Sequence, residues 1–226
     1  MTEVDTTDDG NEPAWRERAV SRSLNTARSR AEQRVQRFLD AAFELIDEKG
    51  TTEFTIQEVI DRSQQSLRGF YQYFEGKDEL ILALFEETVR EATDDLRSIV
   101  ESEHDPLEGL RKFTIRLHEW CDPSEKPRKR SAHNRRPIME FAVHLTVDHS
   151  DRVEAAMAPV SLMMRDLVDE ANAAGVISVS DTHRAAALMQ QTVMYSWFGN
   201  RIAKSARKRL TAEATWEFCL HGLNAD

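Results

Sequence analysis

Between Thr55 and Leu80 the sequence TIQEVIDRSQQSLRGFYQYFEGKDEL gathers side chains suited to binding an anionic polymer. Arg68 carries the planar donor fork that matches the O6 and N7 acceptors of guanine, the commonest specific contact between a side chain and a base edge. Tyr71 and Tyr73 offer hydroxyls and Lys77 an ammonium at the start of a following helix, where unpaired backbone amides also favour phosphate. Phe70, Tyr71, Tyr73 and Phe74 are too many aromatics for one face of a helix this short. Phe70 and Phe74, four apart, are expected to pack inward, leaving Leu67, Arg68, Tyr71, Gln72 and Tyr73 outward.

The elements that would position these groups are marked by local signals. Thr55 and Glu58 form a T-x-x-E capping box, with Phe54 and Val59 at the two ends of a hydrophobic staple, so a helix of about two turns starts after Thr55. A third helix begins at Ser66 and reaches Phe74; a preceding one carries Val35, Phe38, Leu39, Ala42, Leu45 and Ile46 on one side and stops at Lys49-Gly50. Two short helices joined by a tight turn and braced by a third are the plan of a helix-turn-helix, whose second helix enters the major groove.

The rest of the chain is helical in pattern. Apolar residues recur at three- and four-residue spacing from Val35 onward with no sustained alternation, so the fold class is all-α. A long helix starts near Lys77 and extends to Val100, and Asp105-Pro106-Leu107-Glu108 opens another that reaches Trp120. The basic segment CDPSEKPRKRSAHNRRP then interrupts the periodicity, and helices are expected over Pro137 to Asp148, Asp151 to Ala174, Asp181 to about Ala206, and Thr211 to Leu220. Three units follow: residues 1–27, an acidic tail and basic arm that is largely flexible; 28–76, a helix-turn-helix domain; and 77–226, a second helical domain.

Composition bounds the function. The chain has 226 residues, 40% of them hydrophobic, with no run long enough to span a membrane and no signal-peptide core at its start, which points to the cytoplasm. Cys121 and Cys219 lie far apart and are expected as reduced core residues. The net charge of −10 conceals a basic cluster: residues 14–37 hold seven arginines against two glutamates. No phosphate-binding, nucleophile-elbow or zinc-protease motif occurs, so no catalytic residue, metal site or cofactor is assigned, and His118, His144, His149 and His183 lack the pairing of a helical metal site.

The pattern Thr55, Ser66, then Tyr71-x-Tyr73-Phe74-x-x-Lys77-x-x-Leu80, near the start of a chain of this length, closely resembles the TetR family of repressors over roughly residues 30–85. The resemblance implies phosphate contacts from Thr55, Tyr71, Tyr73 and Lys77 and base-edge contacts from Gln57, Leu67, Arg68 and Gln72, with Ser66 and Gly69 in the same interface. The chain departs from the family at Ile60, Ser63, Gln64 and Arg68, and Gln64 is expected in a left-handed conformation. The arginine cluster ending at Arg37 then reads as an electrostatic arm of the kind that enters an adjacent minor groove.

Further implications are a homodimer on a pseudo-palindromic duplex, assembled through the last two long helices, and release from that operator by a small molecule. Leu188, Met189, Thr192, Val193, Trp197 and Phe198 form one apolar stripe and Trp216, Phe218, Leu220 and Leu223 a second. For the effector, an amphiphilic or hydrophobic metabolite, Phe113, Leu117, Trp120, Phe141, His144, Met163, Met164 and Trp197 are the candidate pocket residues. The alternative is a helical architectural DNA-binding protein without an effector.

Overall fold

The computed structural model describes residues 14–121, 136–203 and 209–223, and among these every regular element is an α-helix. In chain order they are α1 (Ala14–Lys49), α2 (Ile56–Ser63), α3 (Leu67–Tyr71), α4 (Lys77–Ser102), α5 (Pro106–Cys121), α6 (Arg136–Asp148), α7 (Ser150–Ala173), α8 (Thr182–Ile202) and α9 (Ala212–Leu223). The acidic segment 1–13 and most of the basic segment 122–136 lie outside the described residues.

The expected stop and start signals operate at the backbone. Gly50 ends α1 at φ 67°, its amide bonding the Ile46 carbonyl at 2.8 Å, and Gly175 follows α7 at φ 70°. Asp105 accepts the Glu108 amide at 2.8 Å at the head of α5, and Asp181 accepts that of Arg184 at 2.9 Å at the head of α8. Beyond shifts of one or two residues, regular helix ends at Tyr71 rather than Phe74, α8 ends at Ile202 rather than about Ala206, and α9 extends to Leu223 rather than Leu220.

The basic part of the segment 1–27 is helical from Ala14, because α1 is one helix of 36 residues. Arginine, alanine and glutamine are good helix formers, and neither proline nor glycine interrupts the stretch, so nothing local stops helix propagation from the anchored C-terminal third.

Core burial begins at Phe38. Phe38, Ala42 and Ile46 of α1 meet Val59, Phe70 and Phe74, while Leu80, Ile81, Leu84 and Phe85 carry the same apolar interior along α4. α4 continues into a layered bundle against α5, α6 and α7, with Leu96, Leu110, Phe113, Ile138, Met164 and Val168 fully or almost fully buried. α8 packs on α5 and α7, and α9 on α5. α4 therefore joins the short N-terminal helices to the interior of the C-terminal bundle as one rigid rod.

Candidate nucleic-acid interface

Three devices fix α2. Thr55 Oγ1 accepts the Glu58 amide at 3.2 Å while Glu58 reaches back to the Thr55 amide at 2.8 Å, which completes the capping box. Lys49 at the end of α1 bonds the other Glu58 oxygen at 2.6 Å. At the far end of α2, Arg62 makes a bidentate pair with Glu48 at 2.7 and 2.8 Å and reaches Glu44 at 3.2 Å. Both ends of this two-turn helix are thereby tied to α1.

The Lys49 ammonium, then the Thr55 amide and hydroxyl, hold the Glu58 carboxyl down at about 2. A depressed carboxylate contributes stability above its unfolded value, roughly 4.3, and loses it as the pH falls through the folded one. Wild-type protein is thus expected to melt higher than Glu58→Gln at neutral pH. The gap should close between about pH 4.3 and pH 2 in thermal melts of the two proteins.

The turn into α3 is built from Gln64, Gln65 and Ser66. Gln64 is left-handed, at φ 55° and ψ 37°, as its place at the end of α2 requires, and is the one non-glycine residue with positive φ among those described. Glycine there removes the side-chain clash but enlarges the unfolded ensemble, so Gln64→Gly is expected to raise stability by a net ~0.5–1 kcal/mol in denaturant titrations. Ser66 caps α3 by accepting the Gly69 amide at 3.0 Å. A Cβ at Gly69 would sit 3.2 Å from the Ser66 hydroxyl oxygen, so the glycine allows that close cap.

This local geometry separates the aromatics. Phe70 is completely buried, edge-on to Phe38 with ring centroids 5.6 Å apart, and Phe74 meets Phe38 at 6.1 Å. Leu67, Arg68, Tyr71 and Gln72 face solvent, with Leu67 49% and Tyr71 55% exposed. Tyr73 is half-buried against the core rather than fully outward, because after Tyr71 the chain tightens into a turn in which the Tyr73 and Phe74 amides share the Phe70 carbonyl.

The remaining candidates fall around this face. Gln57 is exposed on α2, its amide donating to Asp61 at 2.7 Å. Thr55 is exposed with its hydroxyl engaged by Glu58. Lys77 is half-buried, its ammonium 5.1 Å from the centre of the Phe54 ring, at the head of a helix whose N-cap residue, Gly76, supplies no side-chain cap. Thr55, Gln57, Ser66, Leu67, Arg68, Gly69, Tyr71, Gln72, Tyr73 and Lys77 thus belong to one compact unit in which only Phe70, Phe74 and their apolar neighbours are consumed by the core.

In the C-terminal bundle a small, partly enclosed cavity of about 30 Å³ lies between α4, α5, α6, α7 and α8. Leu117 and Trp120 line it, as do Thr88, Val89, Ala92, Cys121, Met139, Met157, Val160 and Met194. Of the other pocket candidates, Phe113 and Met164 are fully buried core, Met163 and Phe141 are half-buried, and His144 is exposed with its ring tilted on Phe141. Trp197 stands on α8, and its side chain lies outside the described residues. Sequence reasoning missed Met139 and Met194 because nothing local distinguishes a methionine facing a gap from one filling the core.

The lining presents no unspent polar group of its own. Thr88 Oγ1 donates to the Leu84 carbonyl at 2.7 Å, and Trp120 Nε1 donates to Asp95 of α4 at 2.8 Å, where Arg116 also bonds. Cys219, expected as core, is buried, which pushes its thiol up to about 11; Cys121 is half-buried at the cavity.

The family model described as bacterial regulatory proteins, tetR family, matches residues 38–84, the segment that contains α2, α3 and the aromatic junction. No functionally curated protein matches the chain in sequence. Among solved structures, a TetR-family transcriptional regulator from Pectobacterium atrosepticum is similar at a TM-score of 0.69 and 19% identity, covering 88% of this chain and 98% of that one. RolR in complex with resorcinol is similar at 0.64 and 16% identity, over 88% and 91% of the two chains. The regulator FadR from Bacillus subtilis in complex with stearoyl-CoA is similar at 0.61 and 15%, over 84% and 99%. Residues 38–84 thus match the N-terminal domain of the tetR family of bacterial regulatory proteins, and the chain as a whole shares the all-helical fold of these regulators.

Proposed function

We propose that the protein is a homodimeric, sequence-specific transcriptional repressor that leaves its operator when an apolar small molecule enters the cavity between α4 and α8. The observation that carries the reading is the division of α3: Phe70 anchors the helix from behind while Leu67, Arg68, Tyr71 and Gln72 stand free in front. These side chains stay largely outside the core, Tyr71 meeting only the Phe70 ring edge-on at 5.5 Å, so their exposure fits a partner in the major groove. Thr55, Tyr71, Tyr73 and Lys77 hold phosphates, the uncapped start of α4 adding backbone amides, while Gln57, Leu67, Arg68 and Gln72 face base edges with Ser66 and Gly69 beneath them. The match of residues 38–84 to a family of bacterial regulatory proteins supports control of transcription rather than catalysis.

The lining supports an effector that is apolar where it is buried. Its polar groups are already paired, so a buried charge or hydroxyl on the ligand would go unsatisfied. Similar folds hold resorcinol in RolR and stearoyl-CoA in FadR, so the fold leaves the ligand open and this chain's own side chains decide. The cavity is far below the roughly 300 Å³ or more of an occupied ligand pocket, which means that binding has to part the helices around it. α4 lines the cavity with Thr88, Val89 and Ala92 and begins at Lys77, roughly 20 Å away along one helix. A ligand that spreads the bundle therefore tilts the rod carrying the DNA-binding unit, and its effect equals its differential affinity for the two arrangements.

Selection of bound duplexes from a random pool tests the reading. The expected result is a pseudo-palindromic motif with half-sites about one helical turn apart, or somewhat more, released by apolar compounds in a retention screen. Binding without any enriched motif would instead identify an architectural DNA-binding protein.

A further inference from the structure

Only the last third of α1 is held by the rest of the molecule. From Trp15 to Arg37 every residue with a described side chain is exposed except Ala31 and Val35, which are half-buried, and burial starts at Phe38. Residues 14–37 as a helix measure roughly 36 Å, at 1.5 Å per residue. Little of this stretch is buried by the rest of the molecule, so its side chains are left to solvent or to a partner.

Its charge identifies the occupant. Residues 14–37 carry seven arginines and two glutamates in a chain of net charge −10, so the rest of the protein carries −15. Arg28 is bound by Glu32 at 2.8 Å, but among the described residues no carboxylate engages Arg18, Arg22, Arg30, Arg34 or Arg37. At 100° per residue, Arg18, Arg22, Arg30, Arg34 and Arg37 share an arc of about 160° that adjoins the line of Val20, Leu24, Ala27 and Ala31 at one edge, and none of them lies on it. A cationic ridge of this kind complements a polyanion.

Its root identifies the place. Phe38, where α1 enters the core, lies edge-on to both Phe70 and Phe74, the inner rings of the reading unit. Arg34 and Arg37 are within about one helical turn of Phe38, so the arm leaves the domain beside α3.

We propose that residues 14–37 form a rigid helical arm that lies along the duplex flanking the operator, with Arg18, Arg22, Arg30, Arg34 and Arg37 on its phosphates. The proposal rests on the reading of α3 as the DNA-binding helix. It also revises the expectation of minor-groove insertion: a helix about 10–12 Å across does not fit a groove about 6 Å wide. Phosphate contacts of this sort add affinity and orientation but carry no sequence. Spanning about 36 Å, the arm reaches roughly ten further base pairs on each side of a symmetric site.

The test uses full-length protein and a duplex taken from the random-pool selection, in two lengths: the operator core alone, and the core with about 15 base pairs of unrelated sequence on each side. Wild type is expected to bind the long duplex at least tenfold more tightly at moderate salt. Arg22→Ala/Arg30→Ala/Arg34→Ala should lose that advantage while keeping its affinity for the core, with unchanged helicity by circular dichroism. Its slope of log K against log salt on the long duplex should fall by about 0.9 for each phosphate released. Equal wild-type affinity for both lengths overturns the arm while leaving α3 as the reader, as does a variant that weakens on both lengths alike. A variant that becomes monomeric in sedimentation would assign the arm to a second copy of the chain and overturn the proposal too. Failure of wild type to select any sequence would remove the underlying reading and the arm with it.

Discussion

Arg68→Ala is expected to weaken operator binding by ~1–3 kcal/mol per half-site, hence about 2–6 kcal/mol for a symmetric dimer, and to erase base preference at one position of each half-site. Arg68 is exposed at the start of α3, and no carboxylate among the described residues engages it, so its guanidinium is available to a guanine edge without first breaking an ion pair. Tyr71→Phe and Lys77→Ala should behave differently. They remove phosphate contacts, weaken all sequences alike, and lower the salt slope without altering the selected motif. Repeating the random-pool selection with each variant separates the two classes. An unchanged motif for Arg68→Ala would take this residue off the list of base readers and leave Gln57, Leu67 and Gln72 to account for specificity.

Tyr195→Glu/Phe198→Glu is expected to turn a dimer into a monomer and to reduce operator affinity by at least a hundredfold. Leu188, Tyr195 and Ile202 recur every seven residues on α8 with Phe198 between them, all more than half exposed, and Phe218 of α9 is 70% exposed. Large apolar side chains in such a row form a surface that water does not favour, and an exposed seam of this period fits a second copy related by a two-fold axis. Burying a large apolar side chain is worth about 1.5–3 kcal/mol, so removing two from each subunit forfeits about 6 kcal/mol or more. DNA affinity follows because a single half-site offers too few contacts. Sedimentation at micromolar protein checks the first effect and DNA retention the second; a variant that stays dimeric would move the interface elsewhere.

The short-range chemistry of the reading unit was legible in the sequence because each signal there is local. Thr55 and Glu58 close their capping box within one turn, Gly50 and Gly175 end their helices, and Gln64 takes the left-handed conformation expected of it. The split of the aromatics was legible for Phe70 and Phe74 because a spacing of four puts two rings on one helical face. It was not legible for Tyr73. Its half-burial depends on where α3 gives way to a turn, and that is set by how the Phe70 and Phe74 rings meet Phe38 on another helix.

What the sequence determined by itself is the all-α class, the order of the helices, the caps that start and stop them, and the chemistry offered by α3, since all of these arise between residues a few positions apart. Only the tertiary structure decided which members of an apolar stripe are core and which are surface. On α8, Met189 and Val193 are buried while Leu188 and Phe198 are exposed, although all four had been grouped on one stripe. The same holds for the cavity, where Leu117 and Trp120 meet Met139, Met157 and Met194 from three other helices while Phe113 and Met164 are spent on the core. Periodicity records that a side chain is apolar and roughly where it points around its own helix. Whether it meets a neighbour, a void or water depends on how five helices pack, and that is settled by contacts between residues up to about a hundred positions apart.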